Sequence, residues 1–338
     1  MPVSRTLGEA MRRRKFIAAL GSAAAWPLSA RAQQGRQVAR VGFLGTAPAA
    51  GALFATSYPV FLAELRKLGF TEGQNLIIEH RRTDEGTSKA FAAAAELIRS
   101  NVDVVVAFGP ELALKAAIAA SQAVPIVMIA VNYDPIASGY VSDITRPERN
   151  ITGLVSRAPE LAAKQLELLV EAFPDVKPIA ALWEPASAEQ FESAQRTANS
   201  LHIELRSHKV ENLPFDFDAA FRAIAQDGSR MVLVLSGPQF GIQRAHIADL
   251  AIQYRLPTMF TFKYYVEAGG LMSYGIDTLP IFRRAASFVA KILRGAKPSD
   301  LPVEQPTNFE FTLNLKTAKA IGVSIPTSIL LRADEVIE

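Results

Sequence analysis

Side chains suited to gripping a small molecule recur at one kind of place in this 338-residue chain, immediately after short apolar runs. Thr46, Gly109, the trio Asn132-Tyr133-Asp134, the pair Trp183-Glu184, Ser236 and the pair Phe262-Lys263 all stand there. Hydroxyls and carboxylates make directional hydrogen bonds, and aromatic rings offer broad apolar faces. Such a set can hold a solute by its polar tips and flat body. Two readings stay open for some members. Trp183 and Phe262 either face a ligand or cap a core, and Asp134 either faces a ligand or closes an Asx turn before Pro135.

Chemistry beyond holding has little to work with. The chain carries no Gly-x-Ser-x-Gly nucleophile elbow, no phosphate loop ending in Gly-Lys-Ser/Thr, and no dinucleotide fingerprint after its first apolar run. Its four histidines (His80, His202, His208, His246) form no i, i+4 pair and have no carboxylate at metal spacing. With no cysteine, disulfides, thiolate metal sites, thiol nucleophiles and a thioether lipid anchor are all excluded. Asp216 and Asp218 read as helix-start residues, favoured by capping and by the helix dipole. We therefore expect no catalytic residue, no metal and no cofactor.

The elements that must position these groups alternate regularly. Apolar, β-branched runs predict strands over 38–44, 75–80, 102–108 and 125–131, and amphipathic windows predict helices over 61–68, 88–99 and 111–120. Gly69 stands where a left-handed C-cap would end the first helix. The pattern then repeats. Strands are predicted over 179–183, 203–210, 231–235 and 257–261, and helices over 188–201, 215–225, 239–254 and 279–293. Repeated βα units imply parallel sheets with helices on both faces. Phe108-Gly109-Pro110 and Ser236-Gly237-Pro238 each separate a strand from a helix, a local correspondence between two similar halves. The polar stretch Arg146 to Gly153 reads as a boundary between them. In open parallel sheets, ligands bind beyond the carboxyl ends of the strands, where the gripping residues fall.

The 36 basic and 33 acidic residues give a formal charge of +3, but the excess lies at the N-terminus. Arg12, Arg13, Arg14 and Lys15 precede an apolar run through Trp26 and then Ala30-Arg31-Ala32. We read residues 1–32 as a cleaved export signal of the twin-arginine type, carried by Arg13-Arg14-Lys15-Phe16-Ile17, with an ordinary secretory signal as the alternative. Met1 and Met11 are both candidate starts. Removing these residues takes away six basic groups and one acidic group, leaving 30 against 32 and a net charge of −2. That balance lacks the footprint of a nucleic-acid binder. No later run approaches 18 apolar residues, so the expected product is a soluble periplasmic protein.

Beyond these readings, the chain resembles the extracytoplasmic substrate-binding proteins of ABC transporters, in the uncharacterised tryptophan/tyrosine-type group. The resemblance rests on Ala130-Val131-Asn132-Tyr133-Asp134-Pro135, Asn150-Ile151-Thr152-Gly153-Leu154 and the run Val266 to Gly275. It rests equally on Leu301-Pro302-Val303-Glu304-Gln305-Pro306 and the run Asn314 to Gly322. It implies a type I periplasmic-binding-protein fold, an α/β architecture of two doubly wound parallel-sheet lobes joined by a three-crossing hinge. One lobe would comprise 33–152 plus about 277–302, the other 153–276 plus about 303–338. The implied cleft positions are Thr46, Gly109, Pro110, Tyr133 and Asp134 on one lobe. On the other they are Trp183, Glu184, Ser236, Gly237, Phe262 and Tyr274. Two departures fall in that cleft: Glu184-Pro185 stands where members often carry Asn-Pro, and Gly237-Pro238 where many carry Asp-Pro.

The implied function is capture of a small organic solute between the lobes by hinge closure, for delivery to the membrane permease of an ABC importer. The aromatic residues point to an aromatic or apolar carboxylate or an amino acid. Asp134 and Glu184 could instead receive an amine. The expected partners are the solute and the permease, with no nucleic acid, and the expected state is a monomer. A periplasmic sensor that hands its solute to a membrane receptor is the alternative, and a periplasmic enzyme the more distant one.

Overall fold

Residues 38–45, 52–83, 86–147, 149–156 and 158–338 are described by the structure, a computed structural model. The expected export signal and Thr46 lie outside the described residues. Ala39–Glu338 forms one compact unit.

Five short apolar strands build a first sheet: β1 (Ala39–Gly45), β2 (Leu76–Arg82), β3 (Val104–Gly109), β4 (Ile126–Ala130) and β5 (Ile151–Val155). They are all parallel, in the order β2-β1-β3-β4-β5. Every residue of β3, β4 and β5 is buried, as expected of parallel strands covered on both faces, whereas the edge strand β2 carries Glu79 and Arg81. Helix α1 (Ala52–Lys67) runs over one face. Helices α2 (Thr87–Arg99) and α3 (Glu111–Ala120) pair over the other. The chain leaves α1 through Gly69 at φ 87°, the left-handed turn its position predicts.

A second sheet contains β6 (Ile179–Trp183), β7 (Leu205–Lys209), β8 (Met231–Val234), β9 (Thr258–Phe260), β10 (Met272–Ile276), β11 (Phe309–Asn314) and β12 (Glu335–Ile337). Its order is β12-β11-β10-β9-β8-β6-β7, parallel except where β10 meets β11. Helices α4 (Ala158–Ala172) and α5 (Ala188–Ser200) share one buried cluster with residues of α11 (Leu315–Ile321) and α12 (Thr327–Leu330). Helices α6 (Phe217–Gln226), α7 (Pro238–Ile242), α8 (Arg244–Gln253) and α9 (Lys263–Glu267) contribute to another. As read from the sequence, Asp216 caps α6, its Oδ1 accepting the Ala219 N–H at 2.8 Å.

Helix α10 (Thr278–Leu293) follows β10, yet it packs on α1, β3, β4 and β5 of the first sheet. Asp277 caps it by accepting the Leu279 N–H at 3.0 Å. Its ring Phe282 meets Phe108 edge-on, with centroids 5.3 Å apart. The chain thus passes between the two sheets three times: after Val155, after Ile276, and before Phe309. These passages are zipped together. Val155 donates to the Glu304 carbonyl at 3.0 Å, and Glu304 donates to the Gly153 carbonyl at 2.9 Å. The Arg284 guanidinium clasps both oxygens of the Glu304 carboxylate.

Three features differ from the sequence reading. The stretch taken as a polar boundary ends inside β5, whose five residues are wholly buried. Asn150 turns the chain into that strand, its Nδ2 reaching the Val124 carbonyl at 2.6 Å. The helix predicted over 239–254 is two helices that meet at Gln243, because Gly241 weakens the turn and the Arg244 side chain takes the Gly241 carbonyl at 3.1 Å. The Met272–Ile276 stretch, a match to the family but not read as a strand, is a central strand of the second sheet.

Candidate functional site

The carboxyl ends of the two sheets face each other, and side chains from both meet there. After β4, Asn132 is 5% exposed and reaches across the sheets, its Nδ2 donating to the Ser236 carbonyl after β8 at 2.9 Å. Gln190 on α5 holds the same peptide from the other side. Its Oε1 accepts the Ser236 N–H at 3.1 Å and its Nε2 donates to the Ser236 carbonyl at 3.3 Å. Asp134 makes another contact between the halves, its backbone N–H donating to the Glu189 carboxylate. Its Oδ1 also accepts from Ile136 and Ala137 at 2.8 and 3.2 Å, forming an Asx turn before the next element.

Glu184 follows β6 and is 7% exposed. Ser187 anchors its backbone: Ser187 Oγ accepts the Glu184 N–H at 3.1 Å and donates to the Glu184 carbonyl at 2.9 Å. The carboxylate lies over Gly237 and accepts the Gln239 N–H, but Oε1 has no partner. Burial raises this carboxyl to about 7, because loss of water penalises the charged form more than one backbone N–H restores it. Asn132 Oδ1 and Thr261 Oγ1 after β9 are likewise buried without partners, while the buried Tyr265 hydroxyl bonds to that of Tyr264. Buried polar atoms are ordinarily paired, so three unpaired ones at the ends of β4, β6 and β9 mark a place where something else completes them.

The floor between the sheets is apolar. Phe108, Ile129, Val131, Leu154, Phe262 and Ile276 line a narrow cavity of about 10 Å³, room for no more than a water-sized group. Beside it, a cavity of about 190 Å³ opens among Thr56, Phe262, Lys263, Glu267, Asp277 and Glu310. Lys263 is occupied there, its Nζ lying 2.5 Å from Glu335 and 3.5 Å from Glu310.

The structure thus brings together Asp134, Glu184, Ser236, Gly237 and Phe262 around the facing strand ends. Gly109 ends β3 and Pro110 starts α3 on the first-sheet side. Tyr133 is buried in that half, edge-on to Tyr140. Trp183 and Tyr274 point elsewhere. The Trp183 indole stacks on Phe191 at 4.6 Å, donates to Ser207 Oγ at 2.8 Å and lies under Lys209. Tyr274 stacks on Phe309. Gln190 escaped the sequence reading because it lies inside a polar helix with no motif around it. Asn132 was signalled only by its place beside Tyr133. Among the described residues, no cluster of His, Asp and Glu could hold a metal ion, and no helix is long and apolar enough to cross a membrane.

Two doubly wound, mostly parallel sheets joined by three passages, with polar groups converging between their carboxyl ends, define the type I periplasmic-binding-protein architecture. The chain belongs to the ABC transporter substrate-binding protein family, whose sequence model matches residues 55–337. A curated relative, the tyrosine-binding protein of Clostridioides difficile, is 22% identical over 78% of this chain and 75% of its own. Among solved structures, a conserved domain protein from Vibrio cholerae superposes with a TM-score of 0.81 at 26% identity, covering 89% of this chain and all of that one. An ABC domain from Streptococcus pneumoniae in complex with L-Trp gives 0.77 at 23% identity, covering 88% and 100%.

Proposed function

We propose that this protein is the solute-capturing component of an ABC import system and closes its two sheets, as lobes, around a small organic solute. The lobes are the first sheet with α1, α2, α3 and α10, and the second sheet with the remaining helices. They hinge at the three passages after Val155, after Ile276 and before Phe309. The observation that carries this reading is the Asn132–Ser236 hydrogen bond, a buried polar link between strand ends of opposite sheets. Such a link exists only while the halves are together, and closure can be driven only by contacts the open form lacks.

The floor cavity of about 10 Å³ cannot admit an organic molecule, so a solute reaches the apolar floor beneath Asn132 and Glu184 when the halves part. The solute then meets Asn132, Asp134, Glu184, Ser236, Gly237 and Phe262. Gly109, Pro110 and Tyr133 shape the first-sheet side, while Trp183 and Tyr274 stiffen the second. The ligands named for the relatives, tyrosine and L-Trp, support an amino acid or related small organic molecule. The export signal at 1–32 supports the twin-arginine route to the periplasm, where a membrane permease receives the closed, monomeric protein. Small-angle X-ray scattering tests the hinge. The radius of gyration should fall when the solute that most raises the melting temperature is added. A radius unchanged by every stabilising solute would remove hinge closure.

A further inference from the structure

We propose that the solute of this site is recognised through a cationic amine, received by Glu184 and Asn132, and need not carry a carboxylate. This deepens the solute-capture reading and rests on it. Asn132 Oδ1 is a pure acceptor and Glu184 Oε1 becomes one when the carboxyl is ionised; each belongs to a side chain more than nine-tenths buried, and neither has a donor. Asn132 is oriented by its own bond, since its Nδ2 is spent on the Ser236 carbonyl, leaving the oxygen as the free end. The two side chains lie against neighbouring residues, Asn132 on Ser236 and Glu184 over Gly237, and what completes two such acceptors, one of them a carboxylate, is a group with several N–H donors and a positive charge.

The protein supplies no such group. Among the described residues, no Lys or Arg forms an ion pair with Glu184. The nearby Arg244 gives an N–H to the Gly241 carbonyl, and Lys263 is held by Glu335 and Glu310. The same shortage argues against an anionic ligand. Among the described residues, the charged groups that surround Glu189 beside the cleft, Asp134, Glu111 and Glu192, are acidic, a setting that favours a cation over an anion. A buried charge without a partner is costly, which makes Glu184 a selective element that favours a cation.

The test is a thermal-shift panel on the purified full chain, using matched probes on aliphatic and aromatic skeletons: the primary amine, the zwitterionic amino acid and the carboxylate without nitrogen. Calorimetry on the best probes follows, with wild type and Glu184→Gln. Expected results are stabilisation by the amine-bearing probes, none by the nitrogen-free acids, and a ten- to hundredfold weaker affinity in Glu184→Gln. The variant's melting temperature at pH 8, at or above wild type, shows that the loss is not unfolding. Nitrogen-free acids binding as tightly as their amines, or an unchanged affinity in Glu184→Gln, would overturn the amine while leaving solute capture standing. Stabilisation by no probe of any class would overturn both.

Discussion

Gly109-Pro110 and Gly237-Pro238 stand between a strand and a helix in successive sheets: Gly109 closes β3 and Pro110 caps α3, while Gly237 follows β8 and Pro238 opens α7. The two glycines are there for different reasons. Gly109 has φ 102°, and a Cβ built on it would meet nothing within 4 Å, so the backbone conformation alone requires glycine. Gly237 is extended at φ −149°, a conformation any residue adopts. A Cβ there would fall 1.8 Å from Glu184 Oε1. One glycine serves the chain's path and the other makes room for a buried carboxylate. A repeated motif therefore marks equivalent positions in a fold without implying equivalent work.

The largest expected effect comes from the carboxylate that Gly237 accommodates. Its folded value of about 7 lies above the 4.5 of an ordinary glutamate. The neutral form's contribution to stability is therefore fully present below pH 4.5 and is lost as pH rises through 7. The loss is about 3 kcal/mol. Urea unfolding from pH 4 to 8 should show this decline in wild type and a flatter profile in Glu184→Gln. Equal slopes would mean that Glu184 is not buried in solution.

Gly237→Ala comes next. Pushing the carboxylate aside should cost about 1–2 kcal/mol of stability, and combining it with Glu184→Ala should recover about 1 kcal/mol of that, a coupling read from the double-mutant cycle. Additive costs would place the carboxylate away from Gly237. The smallest effect belongs to Gly109→Ala, about 1 kcal/mol from the left-handed backbone alone. That cost should be unchanged in the Glu184→Ala background. Coupling between Gly109 and Glu184 would collapse the distinction between the two glycines.

How much of this was legible depended on what each residue's neighbours had to say. The helix over 111–120 and the strand over 179–183 match the structure residue for residue, because a proline-led start and an unbroken apolar run are local signals. Strand β5 was hidden because five residues behind a polar turn are too few to show a period, and its pairing with β4 is a tertiary fact. The break at Gln243 was hidden because it arises from an arginine folding back on its own helix. At the proposed site, the rule that parallel sheets work at their carboxyl ends selected Glu184, Asp134 and Phe262, which the fold sets around the facing strand ends. The same rule also swept in Trp183, whose ring is claimed by Phe191 and Ser207. Position along a strand says where a residue stands and not which way it turns, and Gln190 shows the converse: a helix interior can supply the contact that no strand-end rule would find.

The helix that covers the first sheet alongside α1 is encoded after the whole of β10, well over a hundred residues beyond the last strand it shields. During synthesis the early half must therefore wait with part of one greasy face bare, unable to seal itself, until residues 278–293 leave the ribosome. A fragment ending at Ile276 would keep all five strands of that sheet and still lack its lid. Assembly is in this sense all-or-nothing along the polypeptide, and it has a simple criterion of completion: whether the late helix has docked.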